Sequence, residues 1–309
     1  MNVHQPTREN LKLVAEEIRS GHLAILPTET VYGLAADATN PEAVARIFEL
    51  KGRPADNPLI VHVSSIEQFA EFAAEIPETV HLLAAAFMPG PLTVVLPKRS
   101  SLSNIVTGGL DTVAIRIPDH PACLAVMELG ELALAMPSAN RFISLSPTNV
   151  NMLQPSIAAG VSTIIDGGPC TIGIESTILD LTGEPTILRP GIISQSDIEK
   201  ALQSTVHHGD VSKNQPGMRV PGMYRRHYAP RTHCTVAIAI GSSDAGLVFE
   251  SPANENQIQM PADPKGYARL LYASFADLDS RGLEEFFIVP PPQTELWAAV
   301  WDRLSKATY

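Results

Sequence analysis

Residues 51–63 read KGRPADNPLIVHV, and two cations, Lys51 and Arg53, flank Gly52 ahead of Pro54 and Pro58. Two chemistries suit that spacing. Cations at the end of a helix complement its partial negative charge, and Gly52 can terminate the helix. Alternatively, the prolines stiffen the loop and aim the two side chains at an anion. The following LIVHV alternates, so Leu59, Val61 and Val63 share one face and Ile60, His62 and Ser64 the other. His62 is then either a satisfied core residue or a ligand contact. TVAIRI repeats the pattern, with Val113, Ile115 and Ile117 on one face and Thr112, Ala114 and Arg116 on the other. A guanidinium among small neighbours fits a carboxylate, and equally a buried Arg–Asp pair or an exposed face.

Further polar groups gather at the ends of apolar runs. LALAM leads into PSAN (137–140), and SPTNV (146–150) is expected to open a helix with Ser146 as N-cap and Pro147 at the first position. Hydroxyls, amides and helix N–H groups converging at a strand end can hold a phosphate without a Walker loop; capping alone also explains them. GIEST (173–177) places Ser176 and Thr177 at a strand entry, and Arg189-Pro190-Gly191 puts a cation in a turn. In PTETVYG (27–33), Thr28 and Thr30 either bind a polar ligand or cap the turn. No Ser-His-Asp arrangement, metal-ligand spacing or nucleophile elbow stands out.

The elements that must position these groups alternate between helical and β-branched patterns, as in an α/β fold. Leu11–Ser20 reads as an amphipathic helix. Asn40 caps a helix with Pro41 at its first position, running through VARIFEL. HLAILP, LIVHV, TVVLP, TVAIRI, LALAM, STIID, STILDL and TILR read as strands; STILDLTGEPTILR forms a hairpin, so the sheet is mixed. NQPGMRVPGMYRRHYAPR (214–231) has neither period and reads as a linker. Beyond it, TVAIAI, PKGYARLLYASFADLD, FFIVP and ELWAAVWDRLSKA make a small Rossmann-like α/β module without a dinucleotide fingerprint. The division is therefore 1–209, a linker at 210–231, and 232–309.

Composition narrows the partners. At 309 residues, 45% hydrophobic and 18% charged, the chain has a core to bury. Its net charge of −11 argues against bulk nucleic-acid binding but permits a cationic cleft for a small anion. Three scattered cysteines support neither a disulfide framework nor a zinc site. No run is long enough to span a bilayer and no apolar leader opens the chain, so a cytoplasmic location is expected.

Together, PTETVYGL, KGRPADNPLIVHV, MPGPLTVVL, TVAIRIPDHP, PSAN with SPT, DGGP, GIESTILDL and ILRPG resemble the YrdC-like threonylcarbamoyl-adenylate synthase family in its long, two-domain form. The resemblance covers nearly the whole chain. It implies a YrdC-like twisted mixed sheet and conversion of L-threonine, bicarbonate (or CO2) and ATP to L-threonylcarbamoyl-adenylate and pyrophosphate. The product would pass to a transferase complex for the threonylcarbamoyl modification of tRNA. Lys51, Arg53 and Arg189 would cradle the triphosphate with Mg2+. Asn57, Thr112, Ser138, Asn140 and Ser146 would contact the nucleotide, and Arg116 the threonine carboxylate. Thr30, His62, Met136 and Ser176 would surround the threonine, and Tyr228 would reach the nucleotide from a linker folded over the site. Phe142-Ile143 stands where the family has Ser-Gly, so the 141–146 loop is expected to depart from the family path. Met136 is bulkier than the small residue expected there. Two rivals remain: a carbamoyl transferase acting through a carbamoyl-adenylate, against which the missing CxxC motifs count, and an RNA-binding module, which the acidic balance disfavours.

Overall fold

The computed structural model describes residues 2–209 and 224–309, so most of the expected linker, with its repeated Pro-Gly-Met, lies outside the described residues. Among these, eleven strands form one mixed sheet and four form a second, all-parallel sheet. The part of the large sheet that builds the site runs, in spatial order, Gly33–Asp37, Leu134–Ala135, Ile60–His62, Thr112–Arg116, Leu92–Pro97, Thr177–Asp180 and Thr186–Arg189.

Local sequence dictates much of this. The Asn40 side chain accepts from the N–H groups of Glu42 and Ala43, Pro41 opens the helix Pro41–Lys51, and Gly52 closes it at φ 63°, the left-handed conformation glycine adopts most readily. The hairpin forms as expected, with Thr186 opposite Asp180 and Ile187 opposite Leu179. The faces also fall as the alternation requires. Val61, Val63, Val113, Ile115 and Ile117 enter the main core, while Ile60, His62 and Arg116 turn to the other side.

The helix expected at Ser146 does not form. A short 3-10 turn starts only at Val150–Met152, capped by Asn149. The Ser146 hydroxyl is instead committed to Glu175, a distant partner that outcompetes local capping. In the second unit, the strand expected at TVAIAI (235–240) starts earlier and ends sooner, at His233–Val236, and strands Gly246–Val248 and Gln257–Gln259 join the same sheet as Glu285–Ile288. Helices Pro264–Ser280 and Ala298–Ala307 pack on this sheet, and their core also takes in Val31, Ile174 and Tyr228 from the first unit and the linker. The two units therefore share apolar contacts beside the cavity described next.

Candidate active site

Register alone brings two of the candidate residues together. Ile60–His62 and Thr112–Arg116 are parallel neighbours, and His62 pairs directly with Arg116. Both open into one cavity, which Thr28, Thr30, Arg53, Met136, Ser138, Glu175, Arg189, His227 and Tyr228 also line. Gly33 is required beside it: an added Cβ would lie 2.4 Å from the Met136 side chain, so glycine makes the room that Met136 uses. Gly191 allows the Arg189-Pro190-Gly191 turn to approach strand Thr177–Asp180, where a Cβ would meet the Thr177 nitrogen at 2.3 Å.

Among the described residues, Lys51 and Arg53 are anchored by neutral oxygens. Lys51, 2% exposed, donates to the carbonyls of Ser138 and Asn140 (2.6 Å for the latter) and so pins the PSAN segment. Burial first, and then Arg53, hold its ammonium well below the usual lysine range, against the pull of Glu175. Arg53 donates through Nε to the Asn57 carbonyl (3.1 Å) and through Nη2 to Asn57 Oδ1 and the Pro58 carbonyl (2.7 Å). Arg189 donates from Nε to the Ser176 carbonyl and from Nη2 to Ser176 Oγ, each at 3.1 Å. Ser176 Oγ is also 2.8 Å from Thr93 Oγ1.

On the other side, Arg116 donates through Nη2 to Glu29 (2.5 Å) and Thr30 Oγ1 (3.0 Å), and through Nε to the Gly90 carbonyl (3.2 Å). Thr28 holds the turn: its hydroxyl accepts from the N–H of Thr30 and Val31 and donates to the Val31 carbonyl. The two threonines thus divide the alternatives, Thr28 capping and Thr30 facing Arg116. Lys51, Asn57, Asn140, Ser146 and Ser176 stand behind the lining, bonded to it or beside it. Thr112 does not line the cavity; it sits at the opposite end of its strand from Arg116, beside Pro97.

Sequence reading missed Glu29 and Glu175. Both are acidic residues inside short motifs, and in sequence such residues look like surface groups. Glu175 Oε1 accepts from Ser146 (2.6 Å), and Oε2 accepts from Tyr272 (2.9 Å) and Arg303 (3.1 Å). Burial opposes its ionisation, but Arg303, Arg189 and the Ser146 hydroxyl outweigh that and bring its carboxyl down to about 2. Six buried side-chain polar atoms lack a partner among the described residues, and five belong here: Glu29 Oε2, Asn57 Nδ2, Asn140 Oδ1, His227 Nδ1 and the Tyr228 hydroxyl. Buried polar groups are otherwise almost always bonded, so their concentration marks places where a ligand completes the network.

The 141–146 loop docks on the described C-terminal part of the linker, Tyr224 to Ala229. Ile143 adopts φ 76°, a conformation that β-branched residues resist. Its carbonyl accepts the Ala229 N–H, and the Phe142 ring meets Tyr224 and His227 edge-on at centroid distances of 4.9 and 5.9 Å.

The chain matches two family models end to end. Residues 16–191 fit the model named for Sua5, YciO and YrdC and described as "Telomere recombination". The chain belongs to the Sua5/YciO/YrdC family. Residues 193–308 fit a second model, described as "Threonylcarbamoyl-AMP synthase, C-terminal domain", so this member carries the two-part form. It is 38% identical to the threonylcarbamoyl-AMP synthase of Pyrococcus abyssi, over 100% of this chain and 97% of the relative. It is 43% identical to that of Bacillus subtilis, over 74% of this chain and 66% of the relative. The crystal structure of P. abyssi Sua5 complexed with L-threonine superimposes with a TM-score of 0.90 at 37% identity, covering 99% of this chain and 96% of that one.

Two site histidines of this family member make stability pH-dependent. Burial, followed for His62 by the charge of Arg116, lowers His62 from 6.5 to about 3. Burial also lowers His227 to about 3, with Glu175 opposing and Arg53 and Lys51 assisting. Each folded value lies below the unfolded one, so the unfolded chain binds more protons between them. Stability is intact above pH 6.5 and falls as pH drops toward 3. By pH 5 each histidine costs about 2 kcal/mol at 1.36 kcal/mol per pH unit. Melting temperatures from pH 7.5 to 5 should therefore fall, and His227→Gln should flatten the slope; an unchanged slope in that variant would show that His227 does not remain neutral in the fold.

Proposed function

We propose that this chain makes L-threonylcarbamoyl-adenylate and pyrophosphate from L-threonine, bicarbonate or CO2, and ATP. One observation carries the assignment of parts: Arg53, Arg116 and Arg189 line one cavity, Arg116 bonded to Glu29 and Thr30 and the other two to separate segments, and Lys51 stands behind the lining, bonded to Ser138. Full-length likeness to proteins named threonylcarbamoyl-AMP synthase supplies the reaction.

Threonine binds with its carboxylate on Arg116 and its side chain near Thr30, His62 and Met136. Its amine, once unprotonated, adds to CO2 to give the carbamate. A carbamate oxygen then attacks the α-phosphorus of ATP, the bond from that phosphorus to the bridging oxygen breaks, and pyrophosphate leaves. Lys51, Arg53 and Arg189 stabilise the charge on the phosphates. Asn57 Nδ2, Asn140 Oδ1, Ser138 and the Tyr228 hydroxyl complete the nucleotide side. Carbamates decompose readily in water, so enclosure and positioning matter more than a strong base. The Mg2+ belongs to the nucleotide. Among the described residues no group of three His, Cys, Asp or Glu could hold a metal ion, and Glu29 and Glu175 are engaged by arginines. The product goes on to a separate transferase that acts on tRNA.

The cavity encloses only about 50 Å3, whereas ligand pockets usually span ~300–1,000 Å3. Substrates therefore enter by displacing part of the lining. His227 and Tyr228 are the lining residues that follow the last strand of the large sheet, and they are the part of the lining that gives way.

The test is pyrophosphate release from Mg-ATP with and without L-threonine and bicarbonate, with serine as control. Release requiring both is expected. Failure to bind ATP at all would overturn the reading; RNA affinity with steep salt dependence would then favour the phosphate-gripping alternative.

A further inference from the structure

The second unit reaches the cavity wall chiefly through Arg303. Arg303, on helix Ala298–Ala307, is fully buried. Its Nε donates to Glu175 Oε2 (3.1 Å), its Nη2 to the Glu175 carbonyl (3.1 Å) and its Nη1 to the Pro190 carbonyl (2.6 Å). Its guanidinium also lies 5.3 Å from the centre of the Tyr228 ring. Three separate cavity segments, around Glu175, Arg189-Pro190 and Tyr228, thus meet on a single residue of the other unit.

Helix Pro264–Ser280 reinforces the same point. The Tyr272 hydroxyl donates to Glu175 Oε2, and the Tyr272 ring stacks on Tyr228 at 5.7 Å and 28°. Gly173 lies so close to this helix that a Cβ would sit 2.4 Å from the Arg269 carbonyl oxygen. Glu175 in turn holds the Ser146 hydroxyl. A contact made only to dock two units has no need to order three parts of a polar cavity. An apolar seam would serve, and one exists through Val31 and Ile174.

We propose that Arg303 is a positioning residue for the reaction: by fixing Glu175 and the Pro190 carbonyl, it sets Arg189, Ser146 and Tyr228 for the nucleotide, so the active site is completed by the second unit. Arg303 touches none of the reacting atoms. Because it acts on the nucleotide wall and Arg116 lies on the other side, its loss separates the two substrates. This rests on the synthase reading for which substrate occupies which wall.

The experiment uses full-length Arg303→Lys and Tyr272→Phe. Lysine keeps the charge beside Glu175 but cannot serve both Glu175 oxygens and the Pro190 carbonyl in one plane. Phenylalanine removes one hydroxyl and keeps the stacked ring. Arg303→Lys should raise KM for ATP at least about tenfold, and Tyr272→Phe about threefold, with the threonine dissociation constant within about twofold of wild type. ATP KM within twofold of wild type in a folded Arg303→Lys would overturn the proposal. So would equal weakening of ATP and threonine together with a lowered melting temperature, the signature of simple docking. If wild type itself releases no pyrophosphate with threonine, the synthase reading has failed instead. ATP dissociation constants of wild type and Arg303→Lys, by equilibrium dialysis, then decide the positioning claim alone: a weaker variant upholds it and equal values end it.

Discussion

Replacing Arg116 with alanine should raise the KM for threonine by roughly 30- to 1,000-fold, about 2–4 kcal/mol, and leave ATP binding nearly unchanged. A guanidinium carries five N–H groups. Gly90, Glu29 and Thr30 take three of them, through Nε and Nη2, which leaves the Nη1 pair for a carboxylate. The residue is 4% exposed, so water cannot replace the lost partner. Truncation also strands Glu29, whose Oε2 already lacks a partner among the described residues, and removing half of a buried ion pair costs about 3–5 kcal/mol of stability. The two effects can be separated. Combining Arg116→Ala with Glu29→Gln removes the stranded charge and should restore much of the melting temperature without restoring threonine use. Arg116→Lys should recover little, because an ammonium lacks the fork. An unchanged threonine KM in folded Arg116→Ala would remove this residue from the site.

Legibility of the site followed the range of the interactions. His62 and Arg116 were visible because strand alternation is local, and a period of two separates their face from that of Val61 and Ile115. The helix before Lys51 was visible because Asn40, Pro41 and Gly52 are punctuation at fixed offsets. Ser146 misled because the same letters, Ser-Pro, suit an N-cap, and nothing nearby reveals that Glu175, 29 positions away, takes its hydroxyl. Glu29 and Arg303 were illegible for the same reason: their partners lie 87 and 128 positions away. Strands Gly246–Val248 and Gln257–Gln259 are three residues each, too short to show a period. The substrates themselves came from the resemblance; spacing alone pointed to an anion near Lys51 and Arg53, a carboxylate near Arg116 and a phosphate at PSAN and SPT, each beside a structural alternative.

The spacing of Lys51 and Arg53 has a second consequence, expressed in Arg53→Met: kcat/KM for ATP should fall by about 100- to 1,000-fold, about 3–4 kcal/mol, while stability moves by no more than about 1 kcal/mol. Both cations are buried, and among the described residues neither forms an ion pair with a carboxylate. Burial lowers the Arg53 guanidinium to about 10, which leaves it charged at neutral pH. A buried charge held by carbonyls alone is costly, and methionine relieves that cost. Against this stands the loss of its bonds to Asn57 and Pro58, each worth about 1.5–3 kcal/mol from a charged donor, so the two contributions to stability oppose. Catalysis has no such compensation, because an incoming triphosphate loses a fixed positive charge and its donors. Arg53→Lys, which keeps charge but not the anchoring fork, should fall between. A structural helix-end cation would give the opposite pattern, with stability lost and ATP kinetics within about threefold of wild type. Measuring both quantities on the same variant therefore decides between the two chemistries that the KGRP spacing allows.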